Sequence, residues 1–211
     1  MTRLLGFSAL LLAVALGGPA LGQNNFGDPS FEGAITYDGP PFVGVWEGFS
    51  GSAGASATND TTNPLSGSQH ANLSILGDDN SFAGVFQDVV GLGAGTEITF
   101  SGFHAIGGMA DVGVEFRIEW RDSVMGTEIS RTPNSTTAPT STDYEPFSLT
   151  STVPAGADSG RFVYAVQTFG GEPGPSNTGT IFLDDLVATP EPTAALLASL
   201  GLIPAMLRRR S

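Results

Sequence analysis

Apolar and polar side chains alternate along much of the chain with a period of two, and Gly, Pro, Asn and Asp interrupt the alternation at short intervals. The clearest run is 114–121. Val114, Phe116, Ile118 and Trp120 fall on one face, and Glu115, Arg117, Glu119 and Arg121 on the other. Shorter runs of the same kind predict strands over 84–90, 97–103, 147–153, 161–168 and 180–188. The stretches 51–69 and 130–143 are rich in Ser, Thr, Gly, Asn and Pro and read as long surface loops. No segment between the two ends of the chain carries a 3.6-residue period, and no internal repeat is visible. Many short strands separated by turn residues predict an all-β protein, a sandwich or jelly roll.

The two ends follow a different pattern. Arg3, an apolar run over 4–16 and the small residues Ala20-Leu21-Gly22 have the order of a secretory signal peptide, with Gln23 as the first mature residue. At the other end, Pro190-Glu191-Pro192 precedes an apolar stretch, 194–207, and then Arg208, Arg209 and Arg210. As a helix this stretch would extend about 21 Å at ~1.5 Å per residue, a short span for a bilayer core of roughly 30 Å. Arginines can snorkel to lengthen it, and they hold their own end in the cytoplasm. The order of triplet, short hydrophobic helix carrying Gly201 and arginine cluster resembles the PEP-CTERM sorting signal of Gram-negative and related bacteria. The resemblance implies an exosortase-type enzyme acting near the triplet, and a membrane anchor held only until processing. The expected organisation is therefore a signal peptide (1–22), one β-sandwich domain (23–188) and a sorting signal (189–211).

Charge narrows the function. The 211 residues contain 21 Asp or Glu against 8 basic residues, for a net charge of −13. Four of the eight are Arg3 and the terminal arginines, and none is Lys, so the body between the ends is more acidic still. Such a surface repels phosphate backbones and disfavours nucleic acid. The absence of Cys excludes disulfides and thiolate metal sites.

A second resemblance covers residues 25–188. Phe31-Glu32 near the start, Phe86-Gln87-Asp88-Val89, Gly95-Thr96-Glu97-Ile98 and the closing Asp184-Asp185-Leu186 stand in the order found in the galactose-binding-like jelly roll of carbohydrate-binding modules. Asp28-Pro29-Ser30 departs from that pattern, replacing the glycine turn expected before Phe31. By position, the resemblance implies a structural Ca²⁺ held by Glu32 and Asp184, with Asp185 as the alternative ligand. Hard oxygen donors are what that ion requires.

Sugar recognition needs exposed rings that stack on pyranose faces. Trp46, Tyr37, Phe42 and Tyr144 lie in or beside expected loops and are the candidate platforms; each is equally suited to plugging the end of a sandwich. Trp120 belongs with the buried face of its strand. The Arg117/Glu119/Arg121 face offers the lining of a polar cleft or, the simpler expectation, cross-strand ion pairs. Catalysis has little support. There are two histidines, His70 and His104, the latter read as a strand-end residue. Glu115 and Glu119 lie about 13 Å apart along one strand, too far for a glycosidase pair. The reading that follows is a non-enzymatic protein exported to the cell surface or an exopolysaccharide matrix. The alternatives are a carbohydrate-binding module with a defined glycan and, third, a small polysaccharide hydrolase on the same scaffold.

Overall fold

The computed structural model describes residues 23–169 and 176–191. Among them are eleven strands and no helix: β1 (Ile35–Thr36), β2 (Trp46–Ser50), β3 (Ala55–Asp60), β4 (His70–Leu76), β5 (Phe82–Val90), β6 (Glu97–Ala110), β7 (Gly113–Arg121), β8 (Glu128–Arg131), β9 (Glu145–Thr152), β10 (Ser159–Gln167) and β11 (Thr178–Pro190). They form a six-stranded sheet, β1-β2-β5-β10-β7-β8, and a five-stranded sheet, β3-β4-β11-β6-β9. Every pairing is antiparallel except that of β1 with β2. This is the expected jelly-roll sandwich.

Period-two alternation explains the core. Phe116, Ile118 and Trp120 of β7 face Phe162 and Tyr164 of β10, and from the opposite sheet come Phe100, Leu73, Ile75, Ile181 and Leu183. The strands expected from pattern are all present, most with longer ends. β6 runs seven residues past its predicted limit, continuing along the sheet over 104–110. His104 therefore lies inside a strand rather than at its end. Its Nδ1 meets the Tyr164 hydroxyl across the core at 2.6 Å.

Two expected loops contain strands. Within 51–69 lies β3, whose Ala55 and Ala57 are small enough to pack inward against β4 while the polar alternates face out. The 130–143 segment opens on the end of β8, which pairs with β7. Strand β11 continues through Pro190, two residues beyond the expected domain limit. Glu191 still bonds through its N–H to the Glu97 carbonyl, and its carboxylate accepts from the Thr99 hydroxyl. The signal-peptide residues 1–22 and the tail from Pro192 onward, including Arg208, Arg209 and Arg210, lie outside the described residues. Among the described residues, no helix is long and apolar enough to cross a membrane.

The N-terminal segment is clipped to the last strand. Asn25 N–H donates to the Ala188 carbonyl, the Asn24 side chain bonds Leu186 O and Ala188 N–H, and Leu186 N–H donates to Pro29 O.

Candidate functional site

The outer face of the six-stranded sheet carries most of the polar and aromatic chemistry. Along β5 and β10 the inward positions are Val85, Gln87, Phe162 and Tyr164, which leaves Phe82, Gly84, Phe86 and Asp88 outward, opposite Gln167, Ala165, Val163 and Arg161. Phe49 of β2 lies over Gly84, where a Cβ would come within 2.5 Å of the ring and 2.6 Å of a backbone oxygen. Glycine is needed there because the phenylalanine occupies the volume of its side chain. Five rings follow one another across this face. Phe42 contacts Phe86 (5.1 Å between centroids), Phe86 contacts Phe49 (6.2 Å), Phe49 contacts Phe82 (5.9 Å) and Phe82 contacts Phe169 (6.1 Å). The two ends of the strip are open, with Phe42 39% and Phe169 44% exposed.

All four arginines of the described residues emerge on this same face. Arg117 bonds Glu115 and Glu119, and Arg121 bonds Glu119 at 2.6 Å. Arg131 bonds Glu128 at 2.6 Å, and Arg161 forms a two-pronged pair with Asp88 at 2.8 Å. The Arg161 guanidinium also lies 3.8 Å above the Phe86 ring, a cation–π contact that covers one face of that ring. The predicted ion pairs exist, but they run mainly along β7 between positions two apart, with a smaller cross-strand set joining β8. Burial pushes the Glu119 carboxyl up, yet the hydrogen bonds from Arg121 and Arg117 outweigh it and hold it below the usual carboxylate range. The face is therefore an ionised, internally neutralised row of planar groups beside a strip of rings.

The predicted platforms fare differently. Trp46 is 1% exposed and is a core residue, which corrects its expected role as a stacking platform. It opens β2 with its side chain inward, its ring against Phe31 (4.8 Å) and Phe26 (5.2 Å), and its Nε1–H donates to the Asp28 carbonyl at 2.7 Å. Tyr37 keeps an exposed ring edge, but its hydroxyl is tied to both N–H and C=O of Ala57, closing the gap between the edges of the two sheets. Tyr144 is half-buried just before β9, on the far side of the sandwich from the phenylalanine strip. Among the expected platforms, Phe42 alone stands on that strip.

The three expected metal ligands meet one loop. A register shift in β11 after Asp184, with Asp185 in the left-handed region (φ 49°), turns both aspartates toward the β3–β4 connection. Asp184 Oδ2 accepts from Leu65 and Ser66 N–H, Asp185 accepts from the Ser66 hydroxyl, and Glu32 accepts from Ser68 and Gln69 N–H. Asp184 is fully buried, and burial lifts its carboxyl to about 6 in spite of those donors. Among the described residues, no three acidic or histidine side chains form a metal-holding group. The donors are nevertheless all oxygens, so an ion there would draw its remaining ligands from backbone carbonyls and water.

No family model matches the sequence, and no curated protein matches it. Solved structures do. The enzymatically active domain of bacteriophage CBA120 tailspike protein 4 aligns with a TM-score of 0.60 at 15% identity, over 80% of this chain and 21% of that one. The CBM22-1 xylan-binding domain of Paenibacillus barcinonensis Xyn10C aligns with a TM-score of 0.52 at 16% identity, over 78% and 93% of the two chains. A family 16 carbohydrate-binding module aligns with a TM-score of 0.50 at 17% identity, over 79% and 99%. The chain thus spans about a fifth of the tailspike structure and nearly all of either module. At these identities the likeness establishes the architecture alone, a β-sandwich of the kind found in carbohydrate-binding modules.

Proposed function

We propose that this is an exported, non-catalytic surface protein whose sandwich holds a glycan on the outer face of the six-stranded sheet. The observation that carries the reading is the juxtaposition, on one face, of a five-ring phenylalanine strip and every arginine of the described residues. Phe42, Phe49, Phe82 and Phe169 supply apolar surface for sugar stacking while the buried Phe86 links them from beneath Arg161, and the paired carboxylates and guanidinium groups supply hydrogen bonds to hydroxyls. A strip several rings long suits a polysaccharide chain. The fold it shares with carbohydrate-binding modules supports the same reading. Export and exosortase-type release rest on the resemblance of the chain ends to a signal peptide and a PEP-CTERM signal, and an exopolysaccharide matrix is the corresponding setting.

Retention of the purified protein on xylan, β-galactan and cell-derived exopolysaccharide tests the site. Phe49→Ala combined with Phe42→Ala is expected to weaken retention about tenfold or more. Wild-type retention by the double variant, or no retention on any of these by the wild type, would refute the proposal. Protein recovered from the cell surface for this assay is expected to end near Glu191 by mass.

The calcium ion enters on the same footing. We infer that Glu32, Asp184 and Asp185 hold Ca²⁺ against the β3–β4 loop, supported by the convergence of the three carboxylates on residues 65–69. A saturating ion is expected to raise the melting temperature by about 5 °C or more. Identical melting curves with Ca²⁺ and with chelator would rule it out.

A further inference from the structure

The outer face of the other sheet carries a cleft of about 710 Å³, independent of the phenylalanine strip. It lies between the β3–β4 loop and the segment leading into β9, and its volume is in the range of small-molecule sites, roughly 300–1,000 Å³. Its lining includes Phe182 of β11, Gly107 of β6, Tyr144, Asp143, Asn63 and Thr62. The Phe182 ring extends across Gly107, where a Cβ would sit 2.5 Å from it. A side chain at 107 would displace the ring. On another side the ring rests against His70, with centroids 4.2 Å apart and planes tilted by 32°.

His70 determines what the Tyr144 hydroxyl can do. The imidazole is fully buried; its Nδ1 is 2.7 Å from Tyr144 Oη and its Nε2 has no partner among the described residues. Burial lowers its pKa and keeps it neutral at pH 7. One ring nitrogen then carries the proton, and a buried N–H without an acceptor is the rarer kind of orphan. The proton accordingly belongs on Nδ1, donated to Tyr144 Oη. The phenolic proton of Tyr144 is left free to donate elsewhere, and the residue lines the cleft.

We propose that this cleft is a second sugar site, taking a single neutral pyranose that stacks on Phe182 and accepts a hydrogen bond from the Tyr144 hydroxyl. Thr62, Asn63 and Thr142 offer further uncharged hydrogen-bonding groups. Asp143 is the one charged side chain in the lining among the described residues, so uronates, sulfated sugars and phosphates are repelled. An extended peptide is a poor fit, because β6 and β11 are interior strands whose backbone groups are already paired on both sides.

The test is an NMR titration of the full chain with methyl β-D-glucopyranoside and methyl β-D-galactopyranoside, following the amide signals of Leu65, Gly107 and Gly108. Saturable shifts at Gly107 and Gly108 are expected with at least one of the two. Tyr144→Phe is expected to weaken that binding roughly tenfold, by loss of one hydrogen bond, and Phe182→Ala to abolish it. If Phe182→Ala does not fold, Tyr144→Phe carries the test, since it keeps the ring and the packing. Absence of saturable shifts with both glycosides, or wild-type affinity in Tyr144→Phe, overturns the proposal. Phe49→Ala with Phe42→Ala separates the two sites: it is expected to leave the Gly107 shifts intact whether or not it abolishes retention on polysaccharide.

Discussion

Trp46→Ala is expected to destabilise the protein by about 4 kcal/mol while leaving polysaccharide retention by the folded fraction unchanged. The indole fills the space between Phe26 and Phe31 and is shut off from solvent, so truncation leaves a cavity that the surrounding sheet cannot close. It also leaves the Asp28 carbonyl without its indole donor. Urea unfolding of wild type and variant checks the first half, and retention on exopolysaccharide at a urea-free, fully folded temperature checks the second. A loss below about 1 kcal/mol, or a stably folded variant that no longer binds, would return Trp46 to the surface role the sequence offered it.

The second large effect is a pair of opposing pH dependences. His104 is buried against Tyr164, and burial lowers its pKa to about 4 from 6.5. The unfolded chain therefore takes up this proton first on acidification. Stability from His104 is complete above pH 6.5 and falls as pH drops toward 4. Asp184 works in the other sense, because its pKa is raised to about 6 from 3.8. The folded state holds that proton more tightly, so its contribution is complete below pH 3.8 and is lost as pH rises through 6. At pH 4.5 each term is worth about 2 kcal/mol relative to neutral pH, with opposite signs. With chelator present, Asp184→Asn is expected to make the protein about 2 kcal/mol more acid-sensitive than wild type between pH 7 and 4.5. His104→Gln is expected to make it less acid-sensitive by a similar amount. Parallel stability–pH curves for wild type and both variants would contradict this account.

The sandwich was legible because β6, β7 and β11 bury apolar residues at alternate positions over most of their length, and β5 and β10 are near-continuous apolar runs bounded by turn residues. Strand β3, Ala-Ser-Ala-Thr-Asn-Asp, was not legible, since its inward positions are alanines and its composition is that of a turn. Trp46 was misplaced for a related reason: β2 is five residues long, is flanked by glycines and prolines, and takes its inward direction from pairing with β5 rather than from its own pattern. The phenylalanine strip draws on β2, β5, the Phe42 loop and the end of β10. Its members become neighbours only through the sheet order, and Phe82 and Phe86 stand on the outer face of a strand whose inner face is also apolar. A run apolar on both faces conceals which side each residue takes. Of the eventual site, Arg117, Glu119 and Arg121 could be assigned to one face beforehand, and their alternation in β7 was the signal. His70 gave no comparable sign, because its placement beneath Phe182 depends on pairing across β4 and β11.

The clip between residues 24–29 and β11 also has a mechanical consequence. Tension applied at Glu191 enters the middle strand of the five-stranded sheet, which is bonded to β4 on one side and β6 on the other. Extraction along the strand must shear many of those bonds at once rather than unzip them singly. A protein tethered at that point and gripped through its opposite sheet would bear drag across its whole thickness before yielding.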